Sequence, residues 1–192
     1  MIFSNKKAQQ AHLLKPTEHD NFSNDPEWVV LGELTHQLVF LELLKKLKIK
    51  RNFLFILPVP LENLPSSFRK PPRNLQFISD QIIAMTEKTG GWVLRAASGK
   101  SYYAQSCFIL EHPHLPLKNL DHLLFQSLIN PGYIQIETPT QDNPSGLIQN
   151  ADGSVVSKHP RVNEKLFFLP HPTKDSPIAL SVFLTEFLQK FH

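Results

Sequence analysis

Residue types able to do chemistry are gathered in a few short stretches of this chain. The first is "VVLGELTHQLVFLELLKKL", Val29 to Leu47, where an apolar run meets one glycine and continues as a helix. A strand that turns into a helix through glycine presents backbone N–H groups and the positive end of the helix dipole, an arrangement suited to phosphate. Gly32, Glu33 and Leu34 are therefore the candidate cofactor-binding residues. The second stretch is "LEHPHLP", with Glu111, His112 and His114. A His-x-His pair can hold zinc, but no third ligand accompanies it and both histidines flank a proline, so loop histidines in solvent are expected. Cys107 is the sole cysteine and lies within the apolar "CFIL". There it should pack as a small hydrophobe, since a nucleophilic thiol needs an open, positive setting.

"KKLKIKR", Lys45 to Arg51, is a dense basic cluster. It suits the C-terminal end of a helix, and the functional alternative is contact with phosphate or nucleic acid. His36 lies off the leucine face of the first helix and is expected at the surface. Trp92, Tyr102 and Tyr103 would form a stacking platform if exposed, although aromatic residues are also ordinary strand formers. The chain has neither a G-x-S-x-G elbow nor a P-loop.

The elements that must position these residues follow from periodicity. "WVVLG" is a short buried strand, and Leu34, Leu38, Leu41, Leu44 and Leu47 trace one face of the helix after it. "NFLFILPV" is a second apolar strand. Strand, helix and strand in so short a span make a βαβ unit, which requires Val29–Leu31 and Phe53–Leu57 to be parallel neighbours. From about residue 75 to 110, short strands alternate with glycine turns as an antiparallel β-meander, whose last strand could rejoin the buried sheet. "LKNLDHLLFQSLIN" reads as a short helix, "GYIQIET" as a strand and "KLFFLP" as another. "SPIALSVFLTEFLQKF" reads as an amphipathic closing helix capped by Ser176 and Pro177, burying Leu180, Phe183 and Phe187.

With 41% hydrophobic and 19% charged residues, the chain can pack a core. Sixteen prolines against seven glycines fall mostly in connections and imply stiff loops. The expected organisation is a loose arm over residues 1–27 and a single Rossmann-like α/β domain over 28–192, with a βαβ sheet, the inserted meander and a C-terminal helix. A net charge of +3 permits an acidic partner without demanding one. The start of the chain lacks the apolar stretch of a secretory signal, so a cytoplasmic location is expected.

This order of elements resembles the two-dinucleotide-binding-domain flavoproteins, the FAD- and NAD(P)-dependent oxidoreductases and monooxygenases. "EWVVLGELTHQLVFLELLKKL" looks like their glycine-fingerprint strand and helix, "GGWVLRAASGKSYYAQSCFIL" like their meander, and "LFFLP" with the last helix like their closing segment. The resemblance implies FAD or NAD(P) as cofactor and a redox reaction. The departures bear on that cofactor. With Gly32 as first glycine of G-x-G-x-x-G, Leu34 and Gln37 take the second and third places. Those glycines admit the pyrophosphate and let helix and strand pack closely. The second strand ends in "ILPVP" rather than in a carboxylate for the ribose, and Pro170-His171 replaces the closing Gly-Asp. The expectation is thus a degenerate member of that family: a binding or regulatory module with a vestigial site, no resident cofactor and another protein as partner. An active flavin- or nicotinamide-dependent enzyme, and an interaction module unrelated to redox chemistry, are the alternatives. No membrane or nucleic-acid partner is expected, and no catalytic residue can be named.

Overall fold

The computed structural model describes residues 27–66, 71–88, 90–110, 123–141, 143–150, 152–163, 165–169 and 184–189. The N-terminal arm up to residue 26, Glu111, His112, His114, Pro170, His171, Ser176, Pro177, Leu180 and Phe183 lie outside these residues.

Strand β1 (Trp28–Gly32) leads through Glu33 into α1 (Leu34–Leu47), and β2 (Phe53–Leu57) follows. Next come β3 (Leu75–Ser79), β4 (Ile82–Lys88), β5 (Gly91–Ala96), β6 (Ser101–Ala104), β7 (Ser106–Leu110), α2 (Leu123–Ile129) and β8 (Leu166–Phe168). A five-stranded sheet runs in the order β3-β2-β1-β7-β8, and every pairing in it is parallel. Strands β4, β5 and β6 form a separate antiparallel sheet. The βαβ unit, its parallel strands and the return of Phe108–Leu110 to the same sheet agree with the sequence.

The meander is shorter than the sequence pattern indicates. Leu75–Ser79 pairs parallel with β2 over its whole length, so only Ile82–Ala104 runs antiparallel. A short apolar segment looks alike in either sheet, and its direction depends on where the preceding loop delivers it. Between β2 and β3 the chain returns to the start of the sheet, so β3 runs alongside β2 in the same direction. "GYIQIET" is not a strand either. It contributes one isolated bridge, Ile136 to Leu147, and its other backbone bonds go to the end of α2 (Leu128 O, Ile129 O) and to Gly146, Ile148, Val156 and Lys158.

Alternation along the central strands divides the core in two. Val29, Leu31, Leu54, Ile56, Cys107 and Ile109 face the meander and α2. Trp28, Val30, Phe53, Phe55, Phe108 and Leu110 face α1 and the helical residues 184–189. The central strands thus present mostly aliphatic side chains to the first layer and mostly aromatic rings to the second, and both faces of the sheet are covered. Phe187 is buried in the aromatic layer as expected.

Helix α1 is rotated from its leucine stripe. Its buried face is His36, Gln37, Phe40, Leu41, Leu43 and Leu44, whereas Leu34, Leu38 and Leu47 are only partly buried. The expectation that Leu34 and Leu38 are fully buried and His36 exposed is corrected. Phe40 meets Phe53, Phe55 and Phe108, and seating that ring turns the helix toward the residues before it. Leu41→Ala is expected to cost roughly 2–5 kcal/mol and Leu38→Ala less than about 1.5 kcal/mol. Equal losses in urea denaturation would contradict this orientation.

Candidate functional site

The parallel sheet reverses its winding at β1: β2 and β3 lie on one side, β7 and β8 on the other. In open α/β sheets, ligands bind beyond the carboxyl ends of the strands near such a point. A crevice of about 500 Å³ lies there, lined by Gly32, Ile56, Leu57, Pro58, Asp80 and Leu124 among others. Helix α1 begins at its edge.

Gly32 performs the first glycine's task. Its φ is +117°, and a Cβ on it would fall 2.5 Å from the carbonyl oxygen of Leu110. The turn is pressed against the end of β7. The Leu110 carbonyl accepts from Glu33 N at 3.4 Å and lies 3.1 Å from His36 Nδ1, which must carry its proton to donate there. This contact explains the burial of His36, which no periodicity reveals. The Glu33 carboxylate stands 3.7 Å from the same ring nitrogen at the helix N-cap, without capping a backbone N–H.

Gln37, at the third-glycine position, is 1% exposed. Its Nε2 donates to Gly32 O at 2.8 Å and to Ile56 O at 3.0 Å, tying α1 to the ends of β1 and β2. Its Oε1 is buried with no hydrogen-bond partner. Where the fingerprint has empty space, this chain has an amide clamp. The only group the clamp leaves unused is an acceptor, which cannot bind a phosphate oxygen. Leu34 has a different role from the one its position implies. Its side chain packs with the aromatic layer and is not part of the crevice lining.

Pro58 follows β2 and lines the crevice, so no carboxylate ends that strand. The crevice's carboxylate is Asp80, just past β3, a turn residue that no sequence motif marks. Asp80 Oδ2 accepts from Ser98 Oγ at 2.5 Å and Tyr102 OH at 3.1 Å, and Oδ1 accepts from Gln81 N at 2.8 Å. Partial burial pushes its pKa up, but these hydrogen bonds together outweigh that and hold it below the ordinary value. The folded pKa lies below the unfolded one, so Asp80 stabilises the fold above the ordinary carboxyl pKa and loses that contribution as pH falls through the folded value. Asp80→Asn should therefore flatten the fall in stability below about pH 4. An unchanged acid limb in denaturation from pH 2 to 6 would refute the assignment.

The other candidates are placed as follows. Cys107 is fully buried, and burial pushes its thiol pKa well up, the opposite of nucleophile activation. Trp92 and Tyr102 are buried, with the Trp92 indole donating to Lys165 O at 3.1 Å, so they form core rather than an exposed platform. Lys45 and Lys46 occupy the last turn of α1. Among the described residues, no group of three His, Cys, Asp or Glu side chains could hold a metal ion, and no helix is long and apolar enough to cross a membrane.

No family model matches the sequence, and no curated protein is similar to it. Among solved structures, the GidA-related protein from Thermus thermophilus is similar over 88% of this chain and 100% of that one, with TM-score 0.54 and 11% identity. The likeness is one of fold, and it gives this chain a Rossmann-like architecture. An oxidoreductase from Agrobacterium tumefaciens matches 48% of this chain and 40% of its own, with TM-score 0.34 and 8% identity. The atypical thioredoxin reductase TRi from Desulfovibrio vulgaris Hildenborough matches 46% and 36%, with TM-score 0.32 and 13% identity. The chain spans about two fifths of those two enzymes.

Gly32 keeps the tight turn, but Gln37 fills the helix–strand junction, Glu33 sets a carboxylate at the helix start, and Pro58 stands where the ribose acceptor belongs. Like charge at the helix start opposes a diphosphate. Asp80, the carboxylate in the crevice lining, is already engaged by three donors.

Proposed function

We propose that this chain is a degenerate relative of the FAD/NAD(P)-binding oxidoreductases, a binding or regulatory module that does not retain a dinucleotide. The observation that carries this reading is the Gln37 clamp, which closes the helix–strand junction by bonding Gly32 O and Ile56 O. The covering of both sheet faces and the stiff, proline-rich connections suit a rigid scaffold that presents loops to another protein. Absorption spectroscopy of the purified protein and calorimetry with FAD, NADH and NADPH test the reading. The expected result is a colourless protein with no saturable binding below about 1 mM, because two or three lost contacts at roughly tenfold to a hundredfold each carry a micromolar ligand to that range. A yellow protein, or a low-micromolar dissociation constant for any of the three, would overturn it and restore the redox-enzyme reading.

A further inference from the structure

A second concavity lies at the opposite end of the strands from the crevice, where α1 ends and β3 begins. It measures about 540 Å³ and is lined by Lys45, Lys48 and Lys50, by Arg73, and by an apolar floor that includes Leu44, Ile49 and Leu75. Among the described residues, no carboxylate lines it. The basic run in the sequence is only part of this cleft, since Arg73 is brought in by the segment that leads into β3. Lys46 is not part of the lining, and Arg51 is turned away, its guanidinium 4.9 Å above the Trp28 ring and 3.4 Å from Glu27.

Cations at a helix C-terminus are commonly explained by the dipole and the unpaired carbonyls. Here the backbone already caps the helix. Lys48 N–H donates to Leu44 O and Lys45 O, and Ile49 N–H also donates to Leu44 O at 3.2 Å. Lys48 adopts a left-handed conformation with φ 54°, a position where glycine carries less strain. The walls are fixed as well, because Asn74 Nδ2 donates to Ile49 O at 3.1 Å and to Arg51 O at 3.0 Å. A preformed cleft with cations on its rim and an apolar floor suits an anion that carries an apolar body. Its concavity favours a small molecule over a flat protein surface, and among the described residues no aromatic side chain lines it to stack nucleic-acid bases.

We propose that this cleft binds a small phosphate ester, its phosphate held by Lys48, Lys50 and Arg73 and its body resting on Leu44, Ile49 and Leu75. The site is separate from the crevice, and its fate does not depend on whether a dinucleotide binds there. Calorimetry with phenyl phosphate, inorganic phosphate and single-stranded oligothymidylate tests it, using the full chain and its Lys48→Gly, Arg73→Ala and Lys46→Ala variants. Phenyl phosphate is expected to bind saturably and more tightly than inorganic phosphate. Lys48→Gly and Arg73→Ala should each weaken it about tenfold, the scale of one charge-assisted contact, while Lys46→Ala leaves it unchanged. Lys48→Gly should keep or raise the Tm, so its loss of binding would not reflect misfolding. The proposal is overturned by no saturable binding of phenyl phosphate, by an equal loss in Lys46→Ala, or by oligothymidylate binding without phenyl phosphate.

Discussion

Gly32→Ala is expected to destabilise the fold by roughly 3–5 kcal/mol, combining a disfavoured backbone conformation with overpacking. The added Cβ would stand 2.5 Å from Leu110 O, 2.7 Å from its carbonyl carbon and 3.0 Å from its nitrogen. All are backbone atoms, so no rotamer change can relieve the clash. The turn or the end of β7 must move, and either movement disturbs the contacts that Glu33 N and His36 make with Leu110 O. A loss of this size is a large part of the stability of an ordinary domain, about 5–15 kcal/mol. Gly99→Ala is the control, because Gly99 also has positive φ, +87°, but an added Cβ there would have nothing within 4 Å. It should cost only about 1–2 kcal/mol. Equal losses for the two variants in urea denaturation would show that the close approach to Leu110 contributes nothing.

Phe108→Ala should cost about as much, roughly 3–5 kcal/mol, for a different reason. Phe108 is fully buried on β7, between β1 and β8. Its ring stacks on Phe167 at 5.1 Å and meets the edges of Trp28 at 5.1 Å and Phe187 at 5.5 Å. Phe40 approaches it at 5.7 Å. Truncation would leave a cavity bordered by rings from β1, α1, β8 and the helical residues 184–189, which cannot close over it without leaving their own partners. Phe108→Leu fills most of that volume and should cost less than about 2 kcal/mol. If the alanine variant lost no more than the leucine variant, the aromatic layer would be loosely packed and the two-layer account of the core would fail.

What the sequence determined by itself is the scaffold around Gly32. An apolar run, a glycine and a 3.6-residue period dictate a strand, a turn and a helix, and a second apolar run at that distance dictates a parallel partner. The glycine turns likewise mark the antiparallel segment, and burial of Cys107 follows from its apolar neighbours. Tertiary structure decided the rest. Leu75–Ser79 joined the parallel sheet because the preceding loop returns to the sheet's start. Phe40, seated among three rings from two strands, turned α1 so that His36 and Gln37 face inward and Leu38 only partly does. Asp80 is adjacent to nothing chemical in the sequence. Its partners Ser98 and Tyr102 lie on and beyond the far turn of the meander, and only the pairing of β4 with β5 and of β5 with β6, which lays that turn beside the start of β4, brings them to its carboxylate. Arg73 likewise shares a cleft with the lysines at and beyond the end of α1 only once β3 is laid beside β2. Periodicity reports which residues share a face of one element. Which elements meet, and so which polar groups converge, is set by contacts between residues distant in the chain, and no local pattern encodes them.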